Sequence, residues 1–319
     1  MKRALYAGTP PPGRRRKSRA KRIFFVVVIA HVLVIGYCVH RAPSKNRPKE
    51  APKPTGVHEP SIPAPSGPNE TPPTARPATR PTAASRAALL DARAAIDAGQ
   101  LPEAQKILER IVAANPSPEA VSLLGEVNLK LLKSPSMMPG KEYYVVRSGD
   151  CLQKVARKYH TTVALVKDMN GMQSDVIRIG ERLLVFSGDF SVRVSKSRNV
   201  LDLLLNGKLF KRYRVGTGKF GKTPAVEFVI VDKIKNPPWT RPSDGKKLEY
   251  GDPENLLGTR WMALKSADHP ELTGFGIHGT WQRDSIGKQS SNGCIRMLNE
   301  EVEELFDILP RNTKIAIVE

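Results

Sequence analysis

The chain has 319 residues, room for two or three small domains, and carries 51 Lys and Arg against 31 Asp and Glu, a formal charge of +20. That charge would suit a nucleic-acid partner, but ten of the basic residues fall in residues 1–41, which hold no acid. They flank an apolar run that explains them better, so nucleic-acid binding is set aside.

Residues 1–22 form a basic tail with nine Lys or Arg, followed by the seventeen-residue apolar run Ile23–Val39. At about 1.5 Å per residue that run spans roughly 25 Å, near the lower limit for a bilayer-crossing helix. The positive-inside rule holds the N-terminus in the cytoplasm. The expectation is a single-pass transmembrane anchor over 23–39 in the cytoplasmic membrane, with the rest of the chain extracytoplasmic. A cleaved signal peptide is the alternative, but no small-x-small site follows the run cleanly. Cys38 lies in this run, apart from Cys151 and Cys294; the odd count predicts free thiols and no structural disulfide.

Residues 40–83 read as a linker, with twelve prolines between Pro43 and Pro81. Such a segment buries no core and acts as an extended spacer. Residues 84–133 then switch to helical periodicity. Leu89, Ala92 and Ile96, then Ala104, Ile107, Leu108 and Ile111, mark two apolar faces. Gly99–Pro102 separates them, Asn115-Pro116 ends the second, and Glu119–Leu132 reads as a third helix. The pattern resembles a single tetratricopeptide-type helical hairpin. One unit cannot build an array, so a packed spacer and a partner-binding module both stand.

Residues 142–187 predict strand, helix, helix, strand. Tyr144–Val146 alternates, Gly149-Asp150 turns, and Leu152, Val155, Ala156 and Tyr159 have helical spacing. Thr162–Met169 is a second short helix, and Ile179–Val185 a closing strand. With Val146-x-x-Gly-Asp-x-Leu152, Ala156-x-x-Tyr159, Asn170 and Gly180-x-x-Leu183, the run resembles a LysM module (βααβ). That resemblance implies binding to N-acetylglucosamine-containing glycans such as peptidoglycan. Cys151 stands where such modules usually have Thr, and is read as a helix-start residue.

Residues 191–319 are mostly strand-like. Val200–Leu205, Leu209–Val215, Glu227–Asp232, Arg260–Lys265 and Lys314–Val318 have β-rich composition, and Leu298–Leu309 is the one helix. Within this region His278 precedes Cys294 by sixteen residues, each beside a glycine, Gly279 and Gly293. A thiol is a weak nucleophile until a base or a positive field makes it a thiolate, so a Cys with a His that can fold back onto it is the minimum for covalent acyl transfer.

The string Ile277-His-Gly-Thr280, then Ser285-Ile-Gly287, then Ser291-Asn-Gly-Cys-Ile-Arg-Met297 resembles the signature of the L,D-transpeptidase catalytic-domain family. Val215-Gly-Thr-Gly218, Thr223-Pro224, Asn236-Pro-Pro-Trp239 and Leu257-Gly-Thr-Arg-Trp261 extend it upstream. Two positions depart from the family pattern. Asn292 replaces the usual His of Ser-His-Gly-Cys, and Asn255-Leu-Leu-Gly258 replaces Asn-Pro-Leu-Gly. The resemblance implies a mainly-β catalytic domain, making the whole chain a multi-domain α+β protein. It implies a peptidoglycan transpeptidase that needs no cofactor or metal, with glycan strands and peptide stems as partners.

In that chemistry Cys294 attacks the third residue of a tetrapeptide stem and His278 is the general acid/base. The Gly279 carbonyl is expected to orient the second ring nitrogen of His278. The N–H groups of Gly293 and Cys294 are candidate oxyanion donors. Asn292 either adds a donor or caps the loop, and Ser291 either bonds near the site or stabilises the loop. Arg296 either holds a stem carboxylate or pairs with an acid such as Glu300. Trp239 and Trp261 either wall the donor cleft or pack in the core. Two other functions are compatible with these residues: a non-catalytic wall-binding protein, and a carboxypeptidase that trims stems with water as acceptor.

Overall fold

The computed structural model describes residues 83–319. The expected basic tail, the anchor over 23–39 and nearly all of the proline-rich linker lie outside the described residues. No helix among the described residues is long and apolar enough to cross a membrane.

Three helices come first: α1 (Ala83–Asp97), α2 (Leu101–Ala114) and α3 (Pro118–Lys133). Gly99 takes a left-handed φ of 72° at the first break, and a proline occupies the first turn of both α2 and α3. Ser117 caps α3 by accepting the Ala120 N–H at 3.2 Å. These helices are not a detached spacer. Ala92, Leu108, Leu124 and Leu132 belong to the same continuous core as the large sheet. Asn128 of α3, buried, donates to the Phe210 carbonyl at 2.8 Å and accepts from Gln105 at 2.7 Å. Gly125 lets the helix close onto Lys211, where a Cβ would stand 2.8 Å from that side chain's Cγ.

The next unit is β1 (Lys141–Val145), α4 (Leu152–Lys158), α5 (Val163–Met169) and β2 (Arg182–Phe186), with β1 and β2 antiparallel. Tyr144, Leu152, Val155, Val166 and Leu183 form its own small core. Asn170 clasps it shut: its amide donates to the Val166 and Leu184 carbonyls, and its oxygen accepts the Leu184 N–H at 2.8 Å. Cys151 sits at the N-cap of α4. One face of α5 turns outward, placing Leu165 and Met169 in the larger core.

The remainder is an eight-stranded sheet in the order β13-β11-β10-β7-β14-β3-β4-β5. Its strands are β3 (Phe190–Ser195), β4 (Val200–Leu205), β5 (Lys208–Arg214), β7 (Glu227–Lys235), β10 (Arg260–Lys265), β11 (Gly276–Thr280), β13 (Ile295–Leu298) and β14 (Lys314–Val318). Short pairs β6 (Thr217–Gly218) with β12 (Gln289–Ser291), and β8 (Trp239–Thr240) with β9 (Lys247–Leu248), lie outside it. Helix α6 (Asn299–Ile308) buries Val302, Leu305, Phe306 and Ile308. The α1–α3 bundle meets the sheet at edge strand β5. The motif residues lie at the other edge, on β11 and next to β13.

Candidate active site

His278 sits in the middle of β11, between β10 and the parallel edge strand β13. Cys294 is the residue before β13, at the end of the loop Ser291–Cys294. Strand pairing sets His278 opposite Arg296, two residues after Cys294. Both residues line one cavity of about 490 Å³, with Trp239, Trp261, Pro237, Asn292, Ser291 and Arg296. The helices at the β5 edge contribute nothing to it.

His278 is buried, and its Nδ1 lies 2.6 Å from the Gly279 carbonyl oxygen. A carbonyl only accepts, so Nδ1 carries the proton and Nε2 keeps its lone pair. Burial pulls the imidazole down to about 4, against the Gly279 bond and helped by the Arg296 charge. Burial likewise pushes the Cys294 thiol up, while a backbone hydrogen bond from Gly276 and the Arg296 charge pull it back. Both groups therefore rest neutral, and the thiol donates weakly to the Gly274 carbonyl at 3.6 Å. The Nε2 lone pair of His278 is thus free to accept a proton.

Trp261 stacks on the His278 ring, with centroids 5.9 Å apart and planes at 30°. Gly276 makes room for it: a Cβ there would meet the indole at 2.4 Å. Gly279 is bare for a related reason, since a Cβ would collide with the Asn299 Oδ1 at 2.2 Å. That oxygen accepts the Thr259 N–H at 3.2 Å and holds the loop behind the histidine. Gly279 thus holds the His278 ring through its carbonyl and lets the loop close.

The catalytic loop is held by hydroxyls. Ser291, buried, donates to the Cys294 carbonyl at 2.6 Å and accepts the Gly293 N–H at 3.0 Å. Of its two expected roles, loop stabilisation is the one its bonds fulfil. The Gly293 N–H is thereby occupied and no longer an open oxyanion donor. Thr223, fully buried, donates to the Gly293 carbonyl at 2.7 Å and accepts the Gly218 N–H at 2.7 Å. Its Thr-Pro dipeptide was visible as a motif, but nothing in the sequence showed that it bonds seventy residues away. Among the described residues the Cys294 N–H has no acceptor.

Gly293 adopts φ 133°, and a Cβ there would strike Phe275 at 2.7 Å. Asn292 is exposed and its amide makes no hydrogen bond within the described residues. Arg296 lines the cavity with a weak contact to Gln282 at 3.4 Å, and its Nε is buried without a partner. The alternative partner Glu300 pairs instead with Arg283 at 2.7 Å. Among the described residues this half-buried guanidinium has no carboxylate partner.

Comparison with known proteins agrees with this architecture. The family profile of the L,D-transpeptidase catalytic domain (YkuD) matches residues 189–317, and that of the LysM domain matches residues 144–186. The chain is 40% identical over 149 residues to the putative L,D-transpeptidase YqjB of Bacillus subtilis, covering 46% of this chain and 81% of that protein. It is 31% identical over 181 residues to the putative L,D-transpeptidase YkuD of the same organism, covering 54% of this chain and 97% of that protein. The mainly-β domain, the LysM domain and these relatives together show that the chain belongs to the L,D-transpeptidase family.

Proposed function

We propose that the protein is a peptidoglycan L,D-transpeptidase working through a thioester on Cys294. The observation that carries this is that Cys294 and His278 line one cavity, with Nδ1 bonded to Gly279 and Nε2 left to act as a base. A tetrapeptide stem enters the cavity between Trp239 and Trp261, its carboxylate on Arg296. As Sγ attacks the carbonyl of the third residue, Nε2 takes the thiol proton. The Cys294 N–H donates to the oxyanion. The C–N bond breaks, the terminal D-alanine leaves with the proton from His278, and the thioester remains. A side-chain amine of a second stem then attacks, forming the cross-link and restoring the thiol.

The LysM module is proposed to hold glycan strands, and the 23–39 segment to tether the protein to the cytoplasmic membrane with its catalytic end outside. Domain limits of 84–133, 142–187 and 191–319 serve this arrangement. The α1–α3 helices brace the β5 edge. The test is mass spectrometry of purified disaccharide-tetrapeptides after incubation with the protein. A cross-linked dimer supports the proposal. A shortened monomer alone means a carboxypeptidase, and unchanged substrate means a wall-binding protein without catalysis.

A further inference from the structure

Phe220 is out of place for a folded protein's surface. It is 90% exposed, and it is held at φ 54°, ψ 38° in the tight turn Lys219–Gly221. The other non-glycine residues with positive φ among those described are His160 and four asparagines. Asparagine tolerates the left-handed region, whereas a bulky aromatic is disfavoured there. The ring gains no buried contact to offset this. Such an outlier points to function when it borders an active site.

The turn does border the site. Its base is fastened to the catalytic loop by Thr223, which bonds both Gly218 and Gly293, and by the pairing of Ser291 with Gly218. The Lys222 carbonyl lies 3.1 Å from where a Cβ on Gly293 would stand. Phe220 is two residues from Lys222, at most about 7 Å of chain. Yet no residue of the turn lines the cavity that would hold the donor. Lys219 and Lys222 flank the ring, are exposed, and have no acidic partner among the described residues.

We propose that Phe220, Lys219 and Lys222 form the binding platform for the acceptor, an acidic peptide stem carrying a free amine. This rests on the transpeptidase function proposed above. With the donor acyl group filling the cavity, the acceptor must reach the thioester from surface outside it. An extended tripeptide spans about 10 Å, comparable to the path from Phe220 through Lys222 to Gly293. The ring packs on its aliphatic side chain and the two ammonium groups meet its carboxylates. The acceptor nitrogen then attacks the thioester carbon, the C–N bond forms, the C–S bond breaks, and the amine proton passes through His278 to Sγ.

The experiment holds a tetrapeptide donor at saturation and varies a tripeptide stem, which lacks the terminal D-alanine and can act only as acceptor. Phe220→Gly suits that backbone conformation, so folding is not at risk. It should raise the acceptor KM by about fivefold or more and divert product toward hydrolysed monomer. Lys222→Glu should do the same, and Phe220→Tyr should behave as wild type. Acylation of Cys294, read by intact mass, uses none of these residues and should keep its rate. Normal acylation with an unchanged acceptor KM in both Phe220→Gly and Lys222→Glu overturns this proposal alone. A wild-type protein that is never acylated overturns the transpeptidase function, and this platform with it.

Discussion

The Thr223 hydroxyl and the Gly293 carbonyl, 2.7 Å apart, fix which way the peptide before Cys294 faces. In a trans peptide the C=O and the following N–H point in opposite directions. Holding the carbonyl on Thr223 therefore turns the Cys294 N–H away from it, where no acceptor waits among the described residues. The proposed oxyanion donor is thus oriented by Thr223, whose hydroxyl bonds the Gly293 carbonyl and the Gly218 N–H.

Thr223→Val keeps the side-chain volume and removes both bonds. Acylation of Cys294 should slow by about tenfold or more, approaching the roughly hundredfold known for outright loss of an oxyanion donor. Thr223→Ser should recover most of the rate. The valine variant should also lose roughly 1–3 kcal/mol of stability, because the Gly218 N–H and Gly293 C=O are left buried and unpaired. Acylation kinetics by intact-protein mass and urea unfolding check the two effects separately.

Arg296 and Arg283 provide a matched pair for testing carboxylate recognition. Arg283 is engaged by Glu300 on the surface, whereas Arg296 faces the cavity. Arg296→Gln should raise the donor KM about tenfold, the scale of one charge-assisted bond. Arg283→Gln should leave it within about twofold. Equal effects from the two variants would remove Arg296 from the binding site.

Asn292 is exposed and unbonded, so the loop does not depend on it. Asn292→His should change the acylation rate by less than about tenfold, or roughly 1.4 kcal/mol in barrier. An inactive wild type beside an active Asn292→His variant would mean that the missing imidazole is required.

The depressed His278 imidazole makes a pH prediction. The base stays neutral down to about 4, so the acid limb of the acylation profile should fall near pH 4 and not near 6.5. Stability follows the same group. The unfolded chain takes a proton on this His below about pH 6.5, while the folded chain resists until about 4. Its contribution is therefore complete above 6.5 and lost as pH falls toward 4, amounting to roughly 3 kcal/mol. Urea unfolding across that window should show a larger loss in wild type than in His278→Gln. A parallel loss in both would indicate an imidazole with an ordinary affinity for protons.

Sequence and structure agree most where local signals are strong. The Gly99, Pro102 and Pro116 breaks delimit three helices, and strands such as Val200–Leu205 and Lys314–Val318 coincide with their β-rich runs. Strand β11 is illegible because Gly276, His278 and Gly279 have little β-propensity, and β13 because it is only four residues long; tertiary packing makes both strands. The short strand Phe190–Ser195 fell across an expected boundary. His278 and Cys294 were legible as a pair, as was the orienting Gly279 carbonyl. The loop's internal bonding was not. Ser291 and Thr223 act through backbone groups, and which N–H each hydroxyl occupies depends on loop geometry that no residue type encodes.

The proposed mechanism acylates Cys294 with His278 as its base. Incubating the protein with a tetrapeptide stem and recording intact mass tests it directly. The wild type should gain the mass of the stem less D-alanine, Cys294→Ala should gain nothing, and His278→Gln should acylate at least about a hundredfold more slowly. An adduct that persists in Cys294→Ala, or forms at the wild-type rate without His278, would contradict the account.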